Sequence, residues 1–306
     1  MSKTIVGLGE LLWDLLPSGE RLGGAPANFT VMASRLGNRG VIASRLGVDD
    51  WGDRARAILG GLPADVSFVQ TDASHPTGTV GVKIIDGEPH YVIHEPVAWD
   101  CLEWTPEWQR LATEADAVCF GTLAQRANGS RATIRQFLTA TRPECVRVFD
   151  VNLRAPFFSP EVIAESLAVA TIFKLNEVEV PQVLGMLGSY LPEGDGEDFL
   201  RASASWLLSQ YPMRVVAITM GADGSLLVTR EDAHRRGGIH GGIVDTVGAG
   251  DAFTAALVDS YLRGASLARM NEAGNRWGGW VASQPGAMPE LDEATLADIQ
   301  AKIASA

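Results

Sequence analysis

The stretch Asp245-Thr246-Val247-Gly248-Ala249-Gly250-Asp251 places two carboxylates around a run of small residues. Small residues let a backbone approach a ligand closely, and the first N–H groups of a helix have no internal partner. With the positive end of the helix macrodipole, such a turn forms an anion site. A carboxylate repels phosphate, so Asp251 inside this turn has two readings. It is either a helix-terminal carboxylate that stabilises the dipole, or a general base that takes a proton from a hydroxyl while the N–H groups hold a transferring phosphoryl group.

Three further constellations carry polar groups at suggestive spacing. Glu10-Leu11-Leu12-Trp13-Asp14 is followed by Arg21-Leu22-Gly23-Gly24-Ala25-Pro26-Ala27-Asn28. Here Asp14 is expected just past a strand end, where α/β proteins hold ligands, and Asn28 in the opening turns of the next helix. Such paired hydrogen-bonding side chains suit a polyhydroxylated ligand, although turn glycines and a capping Asn explain the pattern equally well. Asn176-x-x-Glu179 reads as a reciprocal helix cap or as a carboxylate able to hold the water shell of Mg²⁺. Thr219-Met220-Gly221-Ala222-Asp223-Gly224 reads as a turn between the strand Val215–Thr219 and another at Ser225–Thr229.

These groups need a scaffold. Compact apolar runs bounded by Gly, Asp or Asn, at Ile5–Gly9, Val41–Arg45, Ala117–Gly121, Val146–Val151, Thr171–Leu175 and Val215–Thr219, predict parallel strands covered on both faces. Helix-length segments lie between them: Ala25–Leu36, Asp53–Leu59, Ser130–Ala140, Pro160–Ala168 and Phe199–Ser209. The alternation predicts an α/β fold with a doubly wound or layered core. Three more helices, Ala249–Arg263, Leu267–Ala282 and Ala294–Ala304, complete the chain. Thr79–His94 breaks the pattern, with period-two runs on either side of Asp86-Gly87, a hairpin signal. It is read as an edge hairpin or as a lid over a cleft. A small sheet with apolar residues on both faces is unstable alone, which favours a homodimer through it.

Twenty-five Lys+Arg against 37 Asp+Glu give the 306 residues a formal charge of −12, which argues against a nucleic-acid partner. An anion must then be held by backbone N–H groups or a bound cation. Cys101, Cys119 and Cys145 include no C-x-x-C pair and are expected as thiols of a reducing cytoplasm. The first apolar run is broken by Glu10 and Asp14, unlike a signal peptide. Nowhere do ~18 apolar residues run together to span a membrane. No Lys follows a Gly, so a Walker A loop is excluded. The absence of G-x-G-x-x-G weakens a dinucleotide-binding oxidoreductase, and the absence of G-x-S-x-G an α/β-hydrolase.

In their order and spacing, the four constellations resemble the ribokinase/PfkB family of ATP-dependent sugar kinases over essentially the whole chain. The resemblance implies a ribokinase-like layered αβα core with a mostly parallel central sheet and a small β-sheet lid. It implies one kinase domain over residues 1–306, with the lid drawn from segments about 12–24 and 78–97. By the same resemblance Asp251 is the catalytic base, and Gly248, Ala249 and Gly250 form the anion hole. Asp14, Gly23, Gly24 and Asn28 bind sugar hydroxyls, while Asn176, Thr219, Gly221, Gly224 and Asn275 line the nucleotide site. Mg²⁺ is implied at Glu179 through water. Some members place a monovalent cation such as K⁺ between the Asp245–Val247 loop and one that includes Gly286.

Within the family, the segments Gly9–Pro17 and Leu22–Phe29 look most like the bacterial fructokinases. Ala25 stands where several relatives carry Lys, and the hairpin offers Lys83 but no Arg. Both omissions favour a neutral sugar over a sugar phosphate or sugar acid. Arg154, in Asp150-Val151-Asn152-Leu153-Arg154, resembles a motif shared by fructokinases and 2-keto-3-deoxygluconate kinases, and is read as a substrate contact or a structural ion pair. The expected activity is therefore phosphorylation of a sugar hydroxyl by ATP, with fructose as the sugar. The alternatives are a 2-keto-3-deoxygluconate or nucleoside kinase of the same fold, or a non-catalytic sugar-binding regulatory protein.

Overall fold

The structure is a computed structural model that describes residues 2–16, 19–85, 88–191, 194–239 and 241–305. Along the chain its strands are β1 (Thr4–Leu8), β2 (Leu12–Leu16), β3 (Gly19–Gly23), β4 (Arg39–Gly47), β5 (Val69–Asp72), β6 (Gly78–Ile85) and β7 (Glu88–Ile93). There follow β8 (Ala117–Phe120), β9 (Val146–Asp150), β10 (Ile172–Asn176), β11 (Val215–Thr219), β12 (Ser225–Val228) and β13 (Ala233–Arg236). The helices are α1 (Ala25–Arg35), α2 (Asp50–Leu59), α3 (Pro106–Glu114), α4 (Asn128–Ala140), α5 (Pro160–Leu167), α6 (Glu179–Met186), α7 (Gly196–Gln210), α8 (Ala249–Leu262), α9 (Leu267–Ala282) and α10 (Glu293–Ala304).

The expected strands and helices are all present, with ends shifted by their caps. Helix α2 starts at Asp50 rather than Asp53 because Asp49 accepts a bond from Gly52 N at 2.7 Å. Helix α3 and strands β5 and β13 are additions to the sequence reading. The hairpin of β6 and β7 is formed, while its Asp86-Gly87 turn lies outside the described residues.

Nine strands make one sheet in the order β13-β12-β11-β10-β9-β8-β1-β4-β5. Pairing is parallel from β11 through β5, and β12 and β13 add an antiparallel edge. The side-chain period of two sends alternate residues to opposite faces. Phe120, Phe149 and Phe173 stand in register on neighbouring strands and stack with centroids 5.3 and 5.5 Å apart. They belong to the core beneath the α3–α7 side. Cys119, Val148 and Ile172, one residue earlier on each strand, face the other core with Phe29 of α1 and Ala252 and Phe253 of α8. Both faces are thus dry, as a parallel sheet requires.

A second sheet, in the order β3-β2-β6-β7, is built from two segments far apart in the chain. Asp14 lies in the middle of β2, opposite Arg21 of β3. This corrects the expectation that Asp14 follows a strand end: β1 stops at Leu8, and a new antiparallel pair begins at Leu12. One face of the small sheet packs on the main core through Val80 and Ile93, while Val92, on the opposite face, is 37% exposed.

The phenylalanine stack ties the three central strands whose ends carry site residues. Truncating its middle member leaves a large cavity in a dry core. Phe149→Ala is expected to cost roughly 3–5 kcal/mol, read as a fall in the urea unfolding midpoint, and a loss below about 1 kcal/mol would contradict this packing.

Candidate active site

The carboxyl ends of β1, β8, β9, β10 and β11 all point to one side of the sheet, where the polar residues of the chain collect. A small cavity there is walled by Glu10, Phe29, Gly121, Thr122, Asp150 and Asp251. Helix α8 enters it from Gly248, a cap residue at φ 80° whose Cβ, if present, would sit 2.5 Å from the Ala287 side chain. Both facts require glycine. No side chain caps this helix. Among the described residues the N–H groups of Gly248, Gly250 and Asp251 have no partner, whereas Ala249 N–H bonds Thr246 O at 3.2 Å. The open donors are therefore those of Gly248, Gly250 and Asp251. Ala249, expected among them, has its N–H engaged.

Asp251 Oδ2 accepts a hydrogen bond from Asn28 Nδ2 at 2.8 Å. This bond joins α1, near the start of the chain, to α8, near its end. Asn28 Oδ1 is buried without a partner. Desolvation, followed by the negative field of Asp150, raises the Asp251 pKa from 3.8 to about 6, against the opposing effects of Asn28, Lys174 and Arg154. Asp251 is thus a poised carboxyl at an uncapped helix end.

Gly24 caps α1 at φ 119°, with Cβ space only 2.4 Å from the Glu10 carbonyl. It lets the chain turn from the small sheet into α1 against the Glu10 backbone. Gly23 leaves room for Asp14, whose Oδ2 lies 3.2 Å from where a Cβ would be. Burial raises the Asp14 pKa, opposed by Arg154 and Arg21.

Two further groups were not anticipated as site residues. Lys174, buried on β10, pairs with Asp150 Oδ1 at 3.1 Å and sits 3.1 Å from the Cβ position of Gly250. Burial alone would lower its pKa, but Asp150, Glu179 and Asp251 outweigh that and raise it. A permanent positive charge therefore lies directly behind the helix end. Asp150 also accepts from Thr254 Oγ1 at 3.3 Å. The available signal was a lone Lys within the apolar run Thr171–Leu175. Glu10 is buried, its Oε2 lacks a partner, and desolvation raises its pKa from 4.5 to about 7.

Asn176 and Glu179 form the reciprocal cap: Glu179 N donates to Asn176 Oδ1 at 2.9 Å, and Asn176 N donates to Glu179 Oε2 at 2.8 Å. The other oxygen, Oε1, accepts from Leu153 N at 2.8 Å. Thr219 pairs with Asn176 across β10 and β11, and the turn to β12 holds Gly221 and Gly224 at φ 52° and 94°. Asn275 reaches the start of β12, but its amide NH₂ is committed to Ser225 Oγ at 2.6 Å and Asn271 O at 2.8 Å.

The loops at Asp245–Val247 and Gly286 do come together. Asp245 Oδ1 accepts from Val247 N at 3.0 Å, and Oδ2 accepts from Gly286 N at 3.2 Å and from Arg21 of β3. Both carboxylate oxygens thus help to tie the two loops together. The Arg21 bridge also fastens the small sheet to the helix-entry turn. Arg154 is exposed and, among the described residues, forms no ion pair; its one hydrogen bond goes to its neighbour's carbonyl, Leu153 O, at 3.1 Å. Its charge opposes the rise in pKa of Glu10, Asp14 and Asp251, so it lies within electrostatic reach of all three.

The profile of the pfkB family of carbohydrate kinases matches residues 19–294. The sugar kinase PH1459 of Pyrococcus horikoshii is 30% identical over 290 residues, 89% of this chain and 87% of its own. Its crystal structure superposes with a TM-score of 0.78 at 26% identity, over 96% of this chain and 97% of its own. A fructokinase of Escherichia coli is 30% identical over 273 residues, 84% of each chain. Aminoimidazole riboside kinase of Salmonella enterica, solved with aminoimidazole riboside and an ATP analog, has a TM-score of 0.77 at 25% identity, over 99% of this chain and 100% of its own. The chain belongs to the pfkB family of carbohydrate kinases and has the ribokinase-like fold. As a member it is a phosphotransferase with an alcohol group as acceptor.

A buried carboxyl whose folded pKa is raised contributes stability that is fully present below its unfolded value and lost as pH rises through the folded one. For Glu10 that window runs from 4.5 to about 7. Glu10→Gln is therefore expected to gain stability relative to the parent by roughly 2–3 kcal/mol between pH 4.5 and 8. Urea unfolding across that range tests it, and a difference that does not change with pH would contradict the assignment.

Proposed function

We propose that this chain transfers the γ-phosphate of ATP to a hydroxyl of a neutral monosaccharide, with fructose as the preferred acceptor. The observation that carries this reading is the Asn28–Asp251 bond at 2.8 Å, which joins a polyol-type donor to a raised carboxyl at an uncapped helix end. An alcohol is a weak nucleophile, and its proton must leave as phosphoryl transfer proceeds. Asp251 is placed to take that proton, while Asn28 and Asp14 orient the sugar. The free N–H groups of Gly248, Gly250 and Asp251, with Lys174 behind them, stabilise charge on the transferring group. The small sheet, fastened to this turn by Arg21, excludes water that would otherwise accept the phosphoryl group.

Asn176, Thr219, Gly221 and Gly224 sit together at the ends of β10 and β11 and form the proposed nucleotide side. The Glu179 oxygens each hold one backbone N–H and keep a lone pair, which suits a water of a hydrated Mg²⁺ rather than direct ligation. When bound, Mg²⁺ neutralises phosphate charge that a chain of net −12 supplies few cations to meet. A K⁺ ion between the Asp245 and Gly286 loops is part of the same proposal. So is a homodimer through the small sheet, supported by exposed Val92.

The resemblance to the fructokinase of Escherichia coli and the neutral residue Ala25 support fructose. One observation favours a second reading. Arg154 lies within electrostatic reach of Asp14 and Asp251 and has no carboxylate partner among the described residues, an arrangement suited to a sugar acid such as 2-keto-3-deoxygluconate.

Asp251→Asn is expected to fold and bind sugar with KM little changed while kcat falls by about 10²–10⁴-fold. In the parent, kcat/KM should fall as pH drops through about 6, where Asp251 gains its proton. Near-normal turnover in Asp251→Asn would remove it from the reaction. ADP release with fructose, aminoimidazole riboside and 2-keto-3-deoxygluconate separates the substrates. If fructose is the acceptor, Arg154→Ala should leave its KM within about twofold. A rise of tenfold or more in KM for the acid, about 1.4 kcal/mol, supports the second reading. No ADP release with any sugar would overturn both.

A further inference from the structure

At the edge of the main sheet, β5 ends at Asp72 and the following loop carries His75 towards β6. The 3₁₀ turn Ala98–Cys101 brings a thiol against that loop. Cys101 Sγ lies 3.7 Å from His75 Nε2, and His75 Nδ1 lies 3.1 Å from Asp72 Oδ2. Asp72 is fixed in place: it accepts from Ser74 N at 2.7 Å and His75 N at 3.0 Å, and pairs with Arg45 Nε at 3.1 Å. With Nδ1–H donating to that carboxylate, Nε2 keeps its lone pair on the side of the sulfur. Cys101 is equally constrained. Arg45 donates to its carbonyl at 2.6 Å, and the Arg126–Asp100 ion pair at 2.8 Å anchors the same turn.

Zinc–nitrogen bonds of about 2.0–2.1 Å and zinc–sulfur bonds of about 2.3 Å at a tetrahedral angle separate the two ligand atoms by about 3.5–3.6 Å. The observed 3.7 Å matches that span, and a small rotation of the imidazole turns the Nε2 lone pair from the sulfur to an ion beside the N···S line. A histidine whose second nitrogen is held by a carboxylate is the arrangement that orients imidazole towards zinc. We propose that Cys101 and His75 bind a thiophilic divalent cation of the Zn²⁺ type, with Asp72 fixing the imidazole from behind and water completing the coordination. On binding, the S–H bond breaks, a Zn–S bond forms, and the proton leaves to solvent. Burial, and after it the negative field of Asp72 opposed by Arg45, raises the thiol pKa, which argues against the same Cys–His–Asp row acting as an activated nucleophile. Cys101 is half-buried and the His75 side chain 33% exposed, so an ion can reach them. The site clasps the loop that launches β6 to the turn before α3, apart from the cleft.

The experiment uses the full chain stripped of metal by chelation and titrated with Co²⁺, then Zn²⁺. The parent should develop a near-ultraviolet thiolate-to-Co²⁺ charge-transfer band that Zn²⁺ removes, and Zn²⁺ should raise its thermal midpoint. Cys101→Ser should lose the band, and Cys101→Ser and His75→Gln should each bind Zn²⁺ at least tenfold more weakly against a chromophoric chelator. Circular dichroism shows that each variant is folded, and the parent's band gives a readout that needs no variant. A parent without the band, a band retained by Cys101→Ser, or unchanged Zn²⁺ affinity in both variants would overturn the proposal.

Discussion

The structure turns on a single hydrogen bond between residues 223 apart in the chain, Asn28 to Asp251. For it to form, α1 and α8 must lie side by side on one face of the sheet. Each must also begin where the strands end, and the backbone must turn sharply at Gly24 and Gly248. The apolar face shared by Phe29, Ala252 and Phe253 holds the two helices in that relation. Burial of the junction then sets the chemistry, because a carboxylate removed from water holds its charge less favourably and becomes a stronger base.

A chain with so many acidic groups must still accept phosphate. It does so with few cations, each carefully placed. Lys174 is buried and lies against Gly250, where its charge reaches the helix end without screening by solvent. Asp150 keeps it charged. Uncapped N–H groups supply the rest, at no cost in net charge. Arg21 fastens the small sheet to the turn, and the field of Arg154 reaches Asp251. Glu10 and Asp251, both raised by burial, give up part of their negative charge near neutral pH.

Much of this was legible in the sequence. The apolar runs of β1, β4, β8, β9, β10 and β11 announce strands buried on both faces. The glycine turn feeding α8, the Asn176–Glu179 cap and the β6–β7 hairpin are local signals that need no tertiary knowledge. Asp14 was placed wrongly because β3, Gly-Glu-Arg-Leu-Gly, has one apolar residue and no alternating face to betray a strand. Lys174, Asp150 and Glu10 sit within or beside strands whose pattern is read for hydrophobicity, so their charges were passed over. Asn275 was placed by its distance in sequence from Gly286, which says nothing of its bonds to Ser225 and Asn271. The Asp72, His75 and Cys101 group joins three separate segments, and only the folded chain brings it together.

The account's central claim is that Asp251 faces an acceptor hydroxyl while the N–H groups beside it face a phosphoryl group. A crystal structure with a phosphorylatable sugar and a non-hydrolysable ATP analogue tests this directly. The account predicts one sugar oxygen within hydrogen-bond reach of Asp251, about 2.6–3.2 Å, and the terminal phosphate against the N–H groups of Gly248, Gly250 and Asp251. A sugar held away from Asp251, or a phosphate bound elsewhere than this helix end, would contradict it.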